Sequence, residues 1–195
     1  MIDFKKLTFY LEVFKGINLK DITRIFKSVD TVTLSANDIW IKPGDREKKV
    51  AYIKKGLMRV YCYNDNGEEV TTLLRWEDQF LTSYDNIIFD RSSRFYYQAI
   101  EPTTLLVMNY DLLQKIMDEN PKFEKVRKYF MYKMLGESLS RIEDFTLLSA
   151  QQRYLKFIEE KPDIFNRAPN KYIATILGIT PVSLSRIRKR MAKGK

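Results

Sequence analysis

Residues 177–191 read LGITPVSLSRIRKRM. An apolar residue, a glycine, a Thr-Pro step and then four basic side chains follow in tight succession. A solvated basic tail would fit this composition, and so would a helix shaped to enter a DNA groove. The offsets argue for the groove. A helix-turn-helix needs two helices crossing steeply about a turn too tight for ordinary backbone angles. Ala174 offers a small side chain where such helices press closest, and Gly178, four residues on, suits the left-handed residue that ends the first helix. Ile179 would plug the turn into the core. Thr180 can cap the second helix, with Pro181 preset for its first position. Leu184 and Ile187 then face inward with Ile173 and Leu177. Val182, Ser183, Ser185, Arg186, Lys189 and Arg190 are left outward, with Arg188 toward an edge. Short side chains let the backbone approach base edges, while basic ones reach bases and phosphates.

The charge distribution agrees. The chain of 195 residues carries a net +9. Residues 146–195 hold 11 basic and 3 acidic side chains, whereas the preceding 145 hold 23 and 22, and no acid follows Asp163. A polyanion is the natural partner for that segment, the alternative being a merely soluble tail. Histidine is absent and Cys62 is the lone cysteine. An internal disulfide, a cysteine-ligated zinc or iron–sulfur site and the commonest general base are thereby excluded. No metal, no cofactor and no enzymatic activity are expected. No apolar run approaches the length of a membrane span, and the opening MIDFKKLTFYLEVFKG lacks a signal peptide's features, so a cytoplasmic protein is expected.

Upstream of the closing segment, amphipathic helices are predicted over residues 4–15 and 21–27. The period then changes to two. TVTLS, DIWIK, VAYIKKG, LMRVYCY, EEVTTLLR, FYYQAI and TTLLVMN read as seven short strands between turn signals, the strongest being Asn66-Gly67. Such a run points to an antiparallel barrel or jelly roll. From Asp111 the pattern turns helical. DLLQKIMDEN predicts a short helix, residues 121–148 a long one, and residues 149–161 and 170–178 two more. The reading is an α+β chain in three parts: 1–120 strand-rich, 121–148 a long helix, and 149–195 the DNA-binding segment.

The long helix is apolar on two sides. Leu135, Leu139, Ile142 and Phe145 form one stripe; Phe123, Val126, Phe130 and Met134 form another. Such a helix must pack twice, on the strand domain and on a partner helix, unless both stripes are buried within one protomer. Phe123, Val126, Phe130, Met134, Leu135, Leu139 and Ile142 are the dimerisation candidates.

The order of strands, long helix and helix-turn-helix resembles the catabolite activator protein/FNR (Crp/Fnr) family of bacterial transcription regulators. IATILGITPVSLSRIRKRM is similar to the branch common in Bacteroidetes, YIKKGLMRVYCYNDNGEEV to the family's β-roll, and AIEPTTLLVMNYDLL to its last strands and exit helix. The resemblance implies a cyclic-nucleotide-binding-like β-roll (jelly roll), a dimerisation helix and a winged helix-turn-helix. It further implies a homodimer on a roughly palindromic operator in double-stranded DNA, with contact to RNA polymerase. Pro181, Val182 and Arg186 fall where the family places its main base-reading side chains. Arg186 is the candidate for a bidentate guanine contact, or else grips phosphate; Pro181 and Val182 offer only apolar contact. With Thr180, Ser183, Ser185, Arg188, Lys189 and Arg190 they make up the expected DNA-binding set.

The family's cyclic-nucleotide sensors carry a Gly-Glu pair and an Arg-Ser/Thr-Ala run, because a buried cyclic phosphate needs a fixed arginine and the ribose hydroxyl a carboxylate. Here Leu81 and Thr82 align with the first, and Ser93, Arg94 and Phe95 with the second. Neither matches, so a cyclic nucleotide is not expected and the effector stays open. Arg91 and Arg94 are the only candidates for another anion, with solvated loop or ion-pair roles as the alternative. Tyr61, Tyr63, Trp76, Phe95, Tyr96 and Tyr97 read as core or cross-strand aromatics before a ligand box. The rival functional reading is a small-ligand receptor acting through protein contacts, with a tail that grips nucleic acid without selectivity.

Overall fold

The computed structural model describes residue 17 and residues 19–193; the helix expected over residues 4–15 lies outside them. Helix α1 (Leu19–Lys27) leads into eight strands: β1 (Asp30–Leu34), β2 (Ile39–Ile41), β3 (Lys49–Lys55), β4 (Met58–Tyr63), β5 (Glu69–Arg75), β6 (Phe80–Thr82), β7 (Tyr96–Ala99) and β8 (Thr103–Asn109). They form two antiparallel sheets, ordered β1-β8-β3-β6 and β2-β7-β4-β5. Alternation decides which side chains meet between them. Ala51 and Ile53 of β3 stand opposite Val107 and Leu105 of β8, all buried. Ile41, Met58, Val60, Leu81, Tyr97 and Ala99 complete this core. Burying each large aliphatic side chain contributes roughly 1.5–3 kcal/mol.

All seven expected strands form. The eighth, β6, pairs with residues 50–52 of β3 and is too short for alternation to announce it. At the β4–β5 hairpin only Gly67 adopts positive φ, because the loop is longer than two residues. There the Asn64 Oδ1 accepts from the amides of Asn66 (3.1 Å) and Glu68 (2.9 Å).

A short helix α2 (Tyr84–Ile87) bridges β6 and β7, and α3 (Tyr110–Asp118) follows β8. The long helix α4 (Phe123–Leu147) comes next. Phe123 and Val126 are only 2% and 4% exposed, packed with Met108, Ile116 and Met117 of the same chain. They therefore leave the dimerisation set: their stripe is the one that lies on the strand domain. Phe130 joins it, edge-on to Phe80 at 5.1 Å, and Met134 is half-buried. Met131, Leu135, Leu139 and Ile142, on the other side, are half or more exposed.

The chain closes with α5 (Ala150–Glu160), α6 (Ile164–Arg167), α7 (Asn170–Ile176) and α8 (Pro181–Lys193). Ser149 starts α5 with a reciprocal capping box to Gln152. No strand follows β8 among the described residues, so the wing that the resemblance implied is not formed by them. No described helix is long and apolar enough to cross a membrane.

Candidate nucleic-acid interface

The turn between α7 and α8 is built as its residues require. Gly178 has φ +67°, its amide donates to the Thr175 carbonyl (3.0 Å), and the Ile179 amide donates to the Ala174 carbonyl (3.0 Å). This pair of bonds is a Schellman motif, which satisfies carbonyls that a helix end leaves open. Ile179 tucks against the cluster of Ile173, Ala174, Leu177, Leu184 and Ile187. Ala174 is fully buried, as close helix approach demands. Thr180 Oγ1 accepts from the Ser183 amide at 3.1 Å, which makes Thr180 the N-cap and Pro181 the first helical residue.

With Leu184 and Ile187 inward, the rest of α8 faces out. Thr180, Pro181, Val182, Ser185, Arg186, Arg188, Lys189 and Arg190 are exposed, Val182 by 60%. Ser183 is half-buried, its hydroxyl engaged by that of Thr180 at 3.0 Å, so it serves the cap. Arg188 is anchored, donating to Asn170 Oδ1 (3.1 Å) and lying 4.8 Å above the Phe165 ring. Arg186, Lys189 and Arg190 make no ion pair or hydrogen bond with a described residue, unlike Arg167, which the same segment spends on internal carboxylates. Three unpaired cations beside small side chains can meet phosphates and base edges together.

The front domain's anion candidates are differently placed. Asp85, 3% exposed, accepts from Arg91 Nε (2.9 Å), from the Arg94 amide (3.0 Å) and from Arg94 Nε (3.0 Å). Burial pushes the Asp85 carboxyl upward, but the hydrogen bonds from Arg94 and Arg91 outweigh it and hold the group below its ordinary range. Both arginines are thus ion-paired to Asp85 of the preceding helix α2. Leu81 is buried in the roll, and Thr82 Oγ1 donates to the Lys49 carbonyl at 2.6 Å, so neither position presents a carboxylate. The six aromatic residues do not form one box. Tyr97 meets Trp40 edge-on inside the roll, Phe95 packs against the same core, Tyr61 stacks on Tyr96 at 4.9 Å with Tyr63 beside them, and Trp76 joins the helical cluster.

What the sequence reading missed lies at the joint of the two parts. Leu57, Leu74, Trp76 and Ile100 of the roll share one apolar cluster with Tyr154, Ile164, Ile173 and Leu177 of the head. Contacts between residues so distant in the chain leave no periodic signal.

This architecture, a strand roll carrying a helix-turn-helix head on a long helix, is similar to that of several solved structures. Residues 31–120 match the cyclic nucleotide-binding domain family. The chain is 25% identical over 169 residues to the global nitrogen regulator of Synechococcus elongatus, covering 78% of this chain and 74% of that one. The corresponding regulator of a Synechocystis strain is 24% identical over 168 residues, covering 78% and 73%. Among solved structures, FixK2 from Bradyrhizobium japonicum superposes with a TM-score of 0.71 at 14% identity, over 85% of each chain. A chain from Eubacterium rectale described as of the crp/fnr family gives 0.70 at 17%, over 93% and 87%. A CooA variant from Carboxydothermus hydrogenoformans gives 0.66 at 20%, over 92% and 86%.

Proposed function

We propose that this chain is a sequence-specific, dimeric DNA-binding transcription regulator whose front domain keeps the sensor fold without the residues that hold a cyclic nucleotide. The observation that carries it is the outward side of α8. Arg186, Lys189 and Arg190 stand exposed and without a counter-ion among the described residues, on a helix delivered by the Gly178 turn. Arg186 reads a guanine edge, Val182 and Pro181 offer apolar contact to a thymine methyl, and Lys189 and Arg190 grip phosphate. Met131, Leu135, Leu139 and Ile142 pair two copies through α4, which sets two recognition helices toward successive major grooves. Contact with RNA polymerase belongs to the same proposal. Fluorescence anisotropy against promoter fragments tests it: preference for particular duplexes over scrambled ones of equal length is expected at every salt concentration, and equal affinity throughout defeats the specificity.

One observation favours a second reading, a small-ligand receptor: the match of residues 31–120 to the cyclic nucleotide-binding domain family. A thermal-shift series with cyclic nucleotides separates the two. No shift is expected, because Arg91 and Arg94 are occupied by Asp85 and no carboxylate replaces the ribose partner. A shift of several degrees favours the receptor.

A further inference from the structure

Two arginines cross the joint between roll and head in opposite directions. Arg59 of β4 is 2% exposed and lies between two rings, 3.8 Å from the centre of Tyr61 and 3.7 Å from that of Tyr172 on α7. Its Nε donates to Gln98 Oε1 (2.7 Å) and its terminal nitrogen to Glu69 Oε2 (2.8 Å). Arg167 reaches from α6 to the roll, donating to Glu77 at 2.6 and 2.9 Å and to Glu101 at 2.5 and 3.2 Å. A third tie is the Thr71 amide of edge strand β5, which donates to Thr175 Oγ1 at 3.2 Å.

The chemistry of this joint differs from that of a core. A buried guanidinium is tolerated only while its charge is matched, and removing one partner of a buried pair costs far more than the pair contributes. Undocking the head strips Arg167 of both Glu77 and Glu101 and takes the Tyr172 face from Arg59. Docking is therefore directional: the forked arginine and the ring sandwich accept one orientation, whereas the apolar cluster alone would tolerate several. None of these contacts uses the outward side of α8, so the docked head keeps its reading face free.

We infer that Arg59 and Arg167 are positioning residues for the reading head: as a two-point clasp with Tyr172, Glu77 and Glu101, they lock its orientation on the roll. The inference rests on the DNA-reading proposal above. A dimer that reads two half-sites needs its recognition helices one helical turn apart, about 34 Å, whereas non-selective binding needs only charge. Loosening the clasp therefore costs selectivity and spares general affinity.

The test uses the full chain and the tightest duplex selected from a randomised pool, with a scrambled duplex beside it. Arg167→Met and Tyr172→Leu are each expected to weaken the selected duplex about tenfold, to leave the scrambled one within about twofold, and to speed amide exchange at Thr71 and through α7. The double substitution Glu77→Gln with Glu101→Gln, made on the roll side, must reproduce Arg167→Met without adding to it. Unchanged affinity for the selected duplex, or equal loss on both duplexes, overturns the inference. If the unmodified protein shows no preference among duplexes, the DNA-reading proposal fails and amide exchange alone decides the clasp. Exchange unaltered by Arg167→Met then overturns it, and faster exchange upholds it.

Discussion

The ring of Phe145, near the end of α4, lies so close to Gly178 that a Cβ added there would sit 2.5 Å from its Cε1. The long helix α4 and the helix-turn-helix thus touch at Gly178, whose backbone has positive φ. Two costs coincide in Gly178→Ala: left-handed strain of about 1–2 kcal/mol and the displacement of a ring. A loss of roughly 2–3 kcal/mol in urea denaturation is expected. Adding Phe145→Ala should relieve the steric part only, so a double-mutant cycle should leave a residual penalty.

In the proposed function Arg186 reads a base and Lys189 grips phosphate. Arg186→Ala should relax preference at one base pair in each half-site by about 1–3 kcal/mol. Lys189→Ala should weaken all duplexes alike and lower the slope of log affinity against log salt by about one per phosphate contact. Titrations at several salt concentrations distinguish these outcomes.

The exposed stripe of α4 gives a prediction about assembly. If two copies pair through α4 as proposed, Ile142→Asp should place a charge between them and yield a folded monomer, because Phe123 and Val126 remain buried in the protomer. Sedimentation velocity reads the change in mass; an undisturbed dimer would move the interface elsewhere.

Gly136 lies inside α4 with nothing within 4 Å of where a Cβ would stand. Alanine there should stabilise the fold by about 0.5–1 kcal/mol through helix propensity alone. Thermal denaturation would show a small rise in Tm.

Acid should open the joint late. Burial pushes the Glu77 carboxyl up, yet hydrogen bonds from Arg167 and from backbone amides dominate and lower it from 4.5 to about 2. A depressed carboxyl contributes stability above its unfolded value, and that share fades as pH falls through the folded one. Wild type should therefore exceed Glu77→Gln in urea midpoint at neutral pH, with the gap narrowing from about pH 4.5 toward pH 2. A gap that stays constant would remove Glu77 from this role.

Much of this was readable in the sequence, and the exceptions have physical causes. Seven strands announced themselves because Ala51, Ile53, Leu105 and Val107 recur at period two and each run is bounded by a turn. The helix-turn-helix was readable because Ala174, Gly178, Thr180 and Pro181 each answer a local backbone demand at a fixed offset. By contrast, β6 and α2 are too short to repeat anything. The two stripes of α4 were both visible, but periodicity reveals a side and not its neighbour, so Phe123 and Val126 were grouped with residues that face away from the roll. The Arg59–Tyr172 and Arg167–Glu77 contacts join segments that only the fold brings together. No spacing rule could have found them.

Strand β5 borders its sheet, and its Thr71 amide donates to a hydroxyl from the head. A fragment ending after α4 would bare that border, together with Leu57 and Leu74, to any other chain in solution. Open strand margins of this kind recruit further strands. The head therefore covers this margin in the intact chain, and cutting it away should promote self-association through β5.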